Sequence, residues 1–223
     1  TSLEYVFATS SGNQLEFYLA DESETSCYTG RRDATSLESY QGTWIHVAAT
    51  YDGAGGATAR DTINLYLNGA LVDDTNIGGN EGDYEAMENL GAVVEIGKNA
   101  SSYAEGKIAD VRVYNTVLSA GDVATLAENI LPNQGRTTNL VSHWKLDEVG
   151  TSTSTTATDS GSGGNNGTLT NFPSSPWFGN RATALAGLFK LNMGHGGDTN
   201  INIPACTTQF IDCSTSGGTT TAT

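Results

Sequence analysis

The stretch of sequence that decides the fold is Ile63-Asn64-Leu65-Tyr66-Leu67-Asn68-Gly69-Ala70-Leu71-Val72. Two short apolar segments flank the Asn68-Gly69 pair, and both residues of that pair tolerate a positive φ. This arrangement predicts two antiparallel strands joined by a two-residue turn. The centre of the chain is therefore expected to be a β-hairpin.

Strand patterns continue on both sides of this hairpin. Before it, Leu15, Phe17 and Leu19 alternate with more polar neighbours, which predicts one buried and one solvated strand face. Residues 42–51 form a second apolar segment that ends at the turn dipeptide Asp52-Gly53. After the hairpin, residues 92–97 and 107–114 carry further strand signals.

One helix is predicted, near residues 119–130. Ser119 can cap its start, and Asp122 follows three residues later, close to a capping box. Val123, Leu126 and Ala127 then have the spacing of a buried helical stripe. The fold class predicted from these elements is all-β with one short helix.

Composition restricts the partners. The chain has 223 residues and a net charge of −15, with only 10 lysines and arginines. A surface this acidic repels nucleic-acid phosphates and anionic lipid heads, so neither is an expected partner. No apolar run is long enough to insert in a membrane. The acidity suits divalent cations, or it serves only to keep a secreted protein soluble.

The three cysteines leave their pairing open. Cys206 and Cys213 can close a small disulfide loop in an oxidising compartment, but Cys27 pairs equally well with either of them on sequence grounds. No cysteine spacing indicates zinc. Two sequons, at Asn99 and Asn166, mark glycosylation sites if the source is eukaryotic.

The composition of several segments predicts loops. Residues 76–89 are expected to be a long acidic loop, which is more often a solvated face than a site. Residues 151–158 are nearly all Ser and Thr, and residues 160–167 are Gly, Ser and Asn. Such compositions are typical of flexible segments. The tail, residues 214–223, is expected to be coil.

Several sequence motifs of the first half resemble those of a known family. They are Trp44-Ile45-His46-Val47-Ala48-Ala49-Thr50-Tyr51-Asp52-Gly53, Leu65-Tyr66-Leu67-Asn68-Gly69, Glu95-Ile96-Gly97, Gly106-Lys107-Ile108-Ala109-Asp110-Val111-Arg112-Val113-Tyr114-Asn115 and Leu118-Ser119-Ala120. In order and spacing they resemble the second half of a laminin-G-like (concanavalin-A-like) lectin jelly roll, over roughly residues 4–130. The resemblance implies an antiparallel β-sandwich.

A second stretch resembles the opening half of the same family pattern. It covers about residues 139–203 and includes Leu140-Val141-Ser142-His143-Trp144-Lys145-Leu146-Asp147-Glu148. The two halves thus stand in reverse order. The predicted organisation is a jelly-roll segment at 1–132, an opening half at 133–205 that completes the same or a neighbouring sandwich, and a Ser/Thr/Gly-rich tail at 206–223. Completion in the same chain and strand exchange between chains remain alternatives.

The resemblance also implies a structural or sugar-bridging Ca²⁺. The positions that match the family's motifs are Asp110, Asp159 and Asn166, whose hard oxygens on a Gly-rich loop suit calcium. Alternatively, Asp159 begins a turn and Asp110 pairs with Arg112 or Lys107. For sugar binding, Tyr84 and Tyr103 on loops are the candidate stacking platforms.

Catalysis has little support in the sequence. Glycosidases need two carboxylates facing one groove, whereas Glu16, Glu95 and Asp110 stand alone. His46 is expected to be structural, and Trp44 and Trp144 are expected in the core. We therefore predict that the chain is not an enzyme.

Two functions follow from these observations. The first is an extracellular carbohydrate-binding or adhesion module of a larger surface assembly. The alternative is a structural subunit of an extracellular filament or virion decoration, assembled through jelly-roll strand exchange. The expected partners are glycans or other copies of the chain, as a homo-oligomer or within a larger assembly. The expected location is secreted, on a cell surface or on a virion.

Overall fold

The computed structural model describes residues 4–73, 75–88, 91, 93–99, 102–128, 136–148 and 155–170, and the backbone alone of residues 213–216 and 219–222. Within those ranges the α-helix is α1 (Ala120–Glu128), and no helix there is long and apolar enough to cross a membrane. The strands are β1 (Tyr5–Thr9), β2 (Gln14–Asp21), β3 (Cys27–Ser36), β4 (Val47–Thr50), β5 (Asn64–Leu67), β6 (Ala70–Leu71), β7 (Thr75–Gly79), β8 (Lys98–Asn99), β9 (Ser102–Tyr103), β10 (Val111–Tyr114), β11 (Leu140–Trp144), β12 (Thr156–Ala157), β13 (Gly167–Thr168), β14 (Cys213–Ser216) and β15 (Thr219–Ala222). The predicted all-β class is confirmed.

The chain divides into two units. Unit 1 comprises Thr1–Ile108 and Tyr114–Leu140, and unit 2 comprises Ala109–Val113 and Val141–Thr223. The main sheet of unit 1 is antiparallel, with the strand order β1-β2-β3-β7. A second sheet of unit 1 has the order β4-β5-β6, and β8 pairs with β9.

The apolar alternation of β2 decides which face of the main sheet is buried. Leu15 and Leu19 are 3% and 0% exposed, because odd-numbered side chains of this strand point into the core. Leu19 belongs to a core cluster with Cys27, Ala59, Ile63 and Tyr84, and Phe17 and Tyr51 pack against it. The even-numbered side chains of β2 consequently point to the other, open face.

The predicted hairpin and helix are both confirmed. Asn68 and Gly69 have φ values of 51° and 83° in the turn between β5 and β6. The Asn68 Oδ1 atom accepts the His46 backbone N–H at 2.9 Å, which ties the turn to the chain before β4. The helix begins with a capping box, since Ser119 Oγ accepts the Asp122 N–H at 3.2 Å and Asp122 Oδ2 accepts the Ser119 N–H at 3.1 Å.

Three predicted strands are shorter than expected or lie outside the described strands. The segment at 42–51 is a strand only over Val47–Thr50, and the segment at 107–114 only over Val111–Tyr114. Residues 93–97 belong to no strand. Trp44, expected in the core, is 60% exposed. In the described part β4 pairs only with β5. Because β5 ends at Leu67, opposite Val47, the residues before Val47 have no partner in this sheet that would extend the strand to Trp44.

Three strands of the main sheet, β1, β3 and β7, were not predicted. β1 precedes the first recognised strand, and β3 is the ten-residue strand between β2 and β7. The expected acidic loop at 76–89 also begins as strand β7. In β3 the polar run Arg31-Arg32-Asp33 interrupts the apolar alternation that would predict a strand. The extended conformation comes from pairing with β2 on one edge and β7 on the other.

Unit 2 is built on the pair β10–β11 and the short pair β12–β13. Trp144 is 7% exposed and packs with Ala157, against Val111, Leu146 and Leu169, as expected for a core tryptophan. The backbone of β14 pairs antiparallel with β15, so the prediction of a coil tail was wrong. Cys206 lies outside the described residues, and the disulfide with Cys213 stays a prediction.

Candidate functional site

The open face of the main sheet carries a groove, which we call the tyrosine groove. Its volume is about 530 Å³, and it is lined by Glu16, Tyr18, Ala20, Asp21, Glu22, Glu24, Ser26, Cys27, Tyr28, Arg32 and Ile77. Most of these residues belong to β2, to β3 or to the turn that joins them, and Ile77 comes from β7. The open sheet face and the β2–β3 turn therefore supply most of the site, next to the buried pair Asp21 and Cys27.

Two tyrosines occupy the middle of the groove. Tyr28 lies opposite Ala20 and Tyr18 lies opposite Gly30 in the β2–β3 register, so both rings rise from the open face. Their centroids are 5.5 Å apart in an edge-to-face arrangement. Tyr28 is 37% exposed. Gly79 leaves room for the Tyr28 ring, because a Cβ there would lie 2.7 Å from Tyr28 Cε1.

At one end of the groove, Glu16 and Arg32 neutralise each other. Arg32 Nη2 and Nε donate to Glu16 Oε2 at 2.5 and 2.9 Å. The two residues are cross-strand partners, so the sheet register holds the pair in place. This end offers polar hydrogen-bonding groups with no net charge.

The opposite end is acidic and lies at the β2–β3 turn, where Asp21, Glu22 and Glu24 line the groove. The Ser23 hydroxyl donates to Asp21 Oδ1 at 2.6 Å, and the Glu85 N–H donates to Asp21 Oδ2 at 2.9 Å. These hydrogen bonds lower the pKa of Asp21 to about 2. Asp21 is thus a fixed anion that anchors the turn.

Cys27 also lines the groove but is chemically quiet. Its side chain is 3% exposed, and its thiol donates to the Asn80 carbonyl at 3.4 Å. Burial raises the pKa of the Cys27 thiol, and the nearby charges of Asp21, Asp83 and Glu24 raise it further. A thiol with a raised pKa is a weak nucleophile.

The sequence matches a family model over the segment that builds this groove. The model is that of a laminin G family, described as the concanavalin A-like lectin/glucanases superfamily, and it matches residues 1–124 of the 223. The chain belongs to this superfamily. The resemblance of the first half is confirmed, and superfamily membership agrees with the antiparallel architecture. The resemblance of residues 139–203 stays a prediction.

Among solved structures, this superfamily member is similar to the S-layer domain-containing protein (residues 221–444) from Clostridium thermocellum. The two are 22% identical, with a TM-score of 0.30. The match covers 57% of this chain and 62% of that one, which is less than two thirds of its length. No curated protein matches the sequence.

The residues expected to hold calcium all lie in unit 2. Their side-chain oxygens accept hydrogen bonds from, or form ion pairs with, other groups of the protein. Asp159 Oδ1 accepts the N–H groups of His143 and Gly161, and its Oδ2 accepts the N–H of Asn165, all at 2.7 Å. Asn166 Oδ1 accepts the Asp159 N–H at 2.9 Å. These hydrogen bonds hold the loop around Asp159 in shape.

Asp110, the third expected ligand, pairs with side chains. Its Oδ1 lies 2.9 Å from Arg112 Nε and 2.7 Å from His143 Nε2. Within the described ranges, no three His, Cys, Asp or Glu side chains form a group that could hold a metal. The calcium site that the family resemblance implies at Asp110, Asp159 and Asn166 stays a prediction for this chain, as does calcium binding itself.

Of the two predicted sugar platforms, one is corrected. Tyr84 is 1% exposed and belongs to the core cluster with Leu19 and Ile63, so no ligand can stack on it. Burial raises its pKa. Tyr103 is 55% exposed in the β8–β9 hairpin and remains a predicted platform.

The predicted glycosylation sites are both exposed, and each side chain makes a contact. The Asn99 side chain hydrogen-bonds the Tyr18 hydroxyl at the groove, and Asn166 accepts the Asp159 N–H. Glycosylation of either asparagine stays a prediction.

Sequence reasoning missed the tyrosine groove because it missed β3. Tyr28 meets Tyr18 only through the pairing of β3 with β2. One signal was available: the buried alternation of Leu15, Phe17 and Leu19 places Glu16 and Tyr18 on the opposite face. An aromatic residue among the solvated positions of a strand is a candidate binding residue.

Proposed function

We propose that the chain is a non-catalytic carbohydrate-binding module of an extracellular or surface-exposed protein, and that glycans bind in the tyrosine groove. The observation that carries the proposal is the Tyr18–Tyr28 pair on the open sheet face, inside a groove of about 530 Å³. Exposed aromatic faces pack on the C–H-rich faces of sugar rings. The Glu16–Arg32 pair beside them offers donors and acceptors for hydroxyl groups.

The absence of catalysis is part of the proposal, and the charge states of the groove support it. A glycosidase needs a carboxylic acid with a raised pKa opposite a second carboxylate. Asp21 has its pKa lowered to about 2 by the Ser23 hydroxyl and the Glu85 N–H. Glu16 is held in an ion pair with Arg32. Neither residue suits the role of general acid.

The test is glycan binding by the wild-type chain and by Tyr28→Ala. We expect Tyr28→Ala to weaken binding of any recognised glycan about tenfold, or about 1.4 kcal/mol, because it removes the stacking face. Tyr28→Phe keeps the ring and should retain most of the affinity. Tyr5→Ala removes a tyrosine that is 43% exposed on the same sheet but outside the groove, and it is the matched control.

The readout is isothermal titration calorimetry against ligands selected on a glycan array, with thermal unfolding to check that each variant folds. Binding that survives Tyr28→Ala but is lost in Tyr103→Ala would move the site to the β8–β9 hairpin and overturn the groove assignment. Release of shortened glycan by the wild-type chain would overturn the non-catalytic assignment.

A second function, assembly with other copies of the chain, is favoured by a separate observation in unit 1. Trp44, Val93 and Val94 are 60%, 81% and 59% exposed. They lie in segments whose sequence predicts strands, yet they fall outside the strands of the described part. Exposed apolar segments with strand character tend to pair with another chain. We infer that a second copy covers them in a filament or surface layer.

A further inference from the structure

We propose that the tyrosine groove selects glycans that carry free amino groups and rejects anionic glycans. This inference rests on the proposed carbohydrate-binding function of the same groove. The groove and its tyrosines form the site, and the charges that line it decide which glycans it takes.

The groove has a strong charge imbalance. Glu16, Glu22 and Glu24 line it, against the single guanidinium of Arg32. The fourth acidic lining residue, Asp21, is 3% exposed, and its carboxylate accepts hydrogen bonds from Ser23 and Glu85. Because Arg32 already pairs with Glu16, that end is locally neutral. Glu22 and Glu24 place further carboxylates at the β2–β3 turn. A ligand lying along the groove therefore meets polar neutral groups at one end and anions at the other.

The acidic turn is held in a fixed conformation. The N–H groups of Glu22 and Ser23 donate to the two carboxylate oxygens of Glu88, each at 2.9 Å. Asn80 Nδ2 donates to the Thr25 carbonyl at 2.9 Å. Glu22 and Glu24 are exposed on this turn. Because the turn backbone is held, only the exposed side chains of Glu22 and Glu24 need to be ordered when a cation binds, which favours affinity.

The tyrosines place a sugar ring next to these anions. Tyr28 lies opposite Ala20, and the next pair in the register is Asp21 with Cys27. One strand residue spans about 3.3 Å, so a ring stacked on Tyr28 lies beside the acidic turn. A protonated amine on that ring presents three N–H donors to carboxylates. A carboxylate or sulfate on the ring would meet like charge in the same place.

The experiment compares three probes of equal length by calorimetry: oligomers of glucosamine, of N-acetylglucosamine and of galacturonic acid, at a pH where the amine is protonated. We expect the amine-bearing oligomer to bind about fivefold tighter than the acetylated one, the size of one well-formed exposed ion pair. Binding of the galacturonate oligomer should be undetectable. The preference should shrink between 0.01 and 0.1 M salt, as the screening length falls from about 30 to 10 Å.

The decisive variant is Glu22→Gln/Glu24→Gln, which should remove the preference while leaving binding of the acetylated oligomer within about twofold. The matched control is Glu105→Gln/Glu128→Gln, which makes the same change in net charge at exposed residues outside the groove. The control should keep the preference, since the selection is local.

The outcomes separate this inference from the proposed function. Equal binding of the amine-bearing and acetylated oligomers, with loss of both in Tyr28→Ala, overturns the charge selection and leaves the glycan site standing. Loss of the preference in the control pair assigns it to overall charge and also overturns the inference. Binding of none of these or any other glycan overturns the proposed function itself.

Discussion

At the scale of single residues, Asp159 shows how far sequence reasoning reaches. The sequence singled out Asp159 and Asn166 together, and the structure joins them by a hydrogen bond. The role of Asp159 could not be predicted from the sequence. Its carboxylate accepts the N–H groups of His143, Gly161 and Asn165, and two of these residues are distant in the chain or reached only through the fold of the loop. Only the bond to Gly161 is local enough to be recognised in a sequence, as an aspartate turn.

Asp159 predicts a pH dependence. Burial alone would raise its pKa, but the N–H donors of His143, Gly161 and Asn165 outweigh burial and lower it. A carboxyl with a lowered folded pKa stabilises the fold above its unfolded pKa of about 3.9, and this stability is lost as pH falls through the folded pKa. Asp159→Asn should therefore reduce the free energy of unfolding by about 2 kcal/mol at neutral pH, and by less in acid.

The measurement is urea unfolding at pH 7 and pH 3, followed by tryptophan fluorescence. The amide nitrogen of the variant would face the Asn165 N–H, which leaves that donor unsatisfied and explains the loss. Glu105→Gln, at an exposed residue, is the control for losing one charge. Equal destabilisation of Asp159→Asn at both pH values would show that the carboxylate charge plays no part.

At the scale of elements, the structures that depend on neighbouring residues were predicted correctly, and a strand that depends on distant partners was not. The Asn68-Gly69 turn and the Ser119 cap depend on residues within a few positions of one another, and both are confirmed. Strand β3 depends on partners far along the chain. Its Gly30 and its run Arg31-Arg32-Asp33 have low strand propensity, so tertiary pairing overrides the local preference.

The interior position of Gly30 in β3 gives a prediction for the sheet. A Cβ at Gly30 would lie 2.6 Å from Tyr18 Cβ and would also collide with the Phe17 carbonyl. We expect Gly30→Ala to lower the free energy of unfolding by about 1–3 kcal/mol, the usual range for overpacking. Urea unfolding checks this value. Gly82→Ala is the matched control, because a Cβ at Gly82 meets nothing within 4 Å; equal effects of the two substitutions would contradict the packing argument.

At the scale of the whole molecule, family and fold class could be predicted and the arrangement of the site could not. The sequence motifs around Trp44 and Asn68 are sufficient to predict the family, and the family match over residues 1–124 confirms it. The tyrosine groove needs the register of β2 with β3, and a register of distant strands leaves no local mark. The organisation into segments 1–132, 133–205 and 206–223 stays a prediction.

The exposed apolar residues of unit 1 predict the behaviour of the whole chain in solution. If a second copy covers Trp44, Val93 and Val94, sedimentation velocity should detect concentration-dependent oligomers. The double variant Trp44→Ser/Val93→Ser should shift the distribution to monomer, because it removes apolar contact area. The matched control is Val117→Ser, at a valine that is 48% exposed elsewhere in unit 1. A wild-type chain that stays monomeric over the whole concentration range would rule out self-assembly through these residues.

The interleaving of the two units limits how the chain can be divided. Unit 2 contains residues 109–113 as well as 141–223, while unit 1 contains residues 114–140. A protease cut anywhere between 114 and 140 leaves the strand pair β10–β11 on two separate pieces, so a fragment beginning at residue 141 lacks the partner of its first strand. During synthesis on the ribosome, β10 must likewise wait until residues 140–144 have emerged. The strand pair β10–β11 of unit 2 can therefore form only after the intervening residues 115–139 have been made.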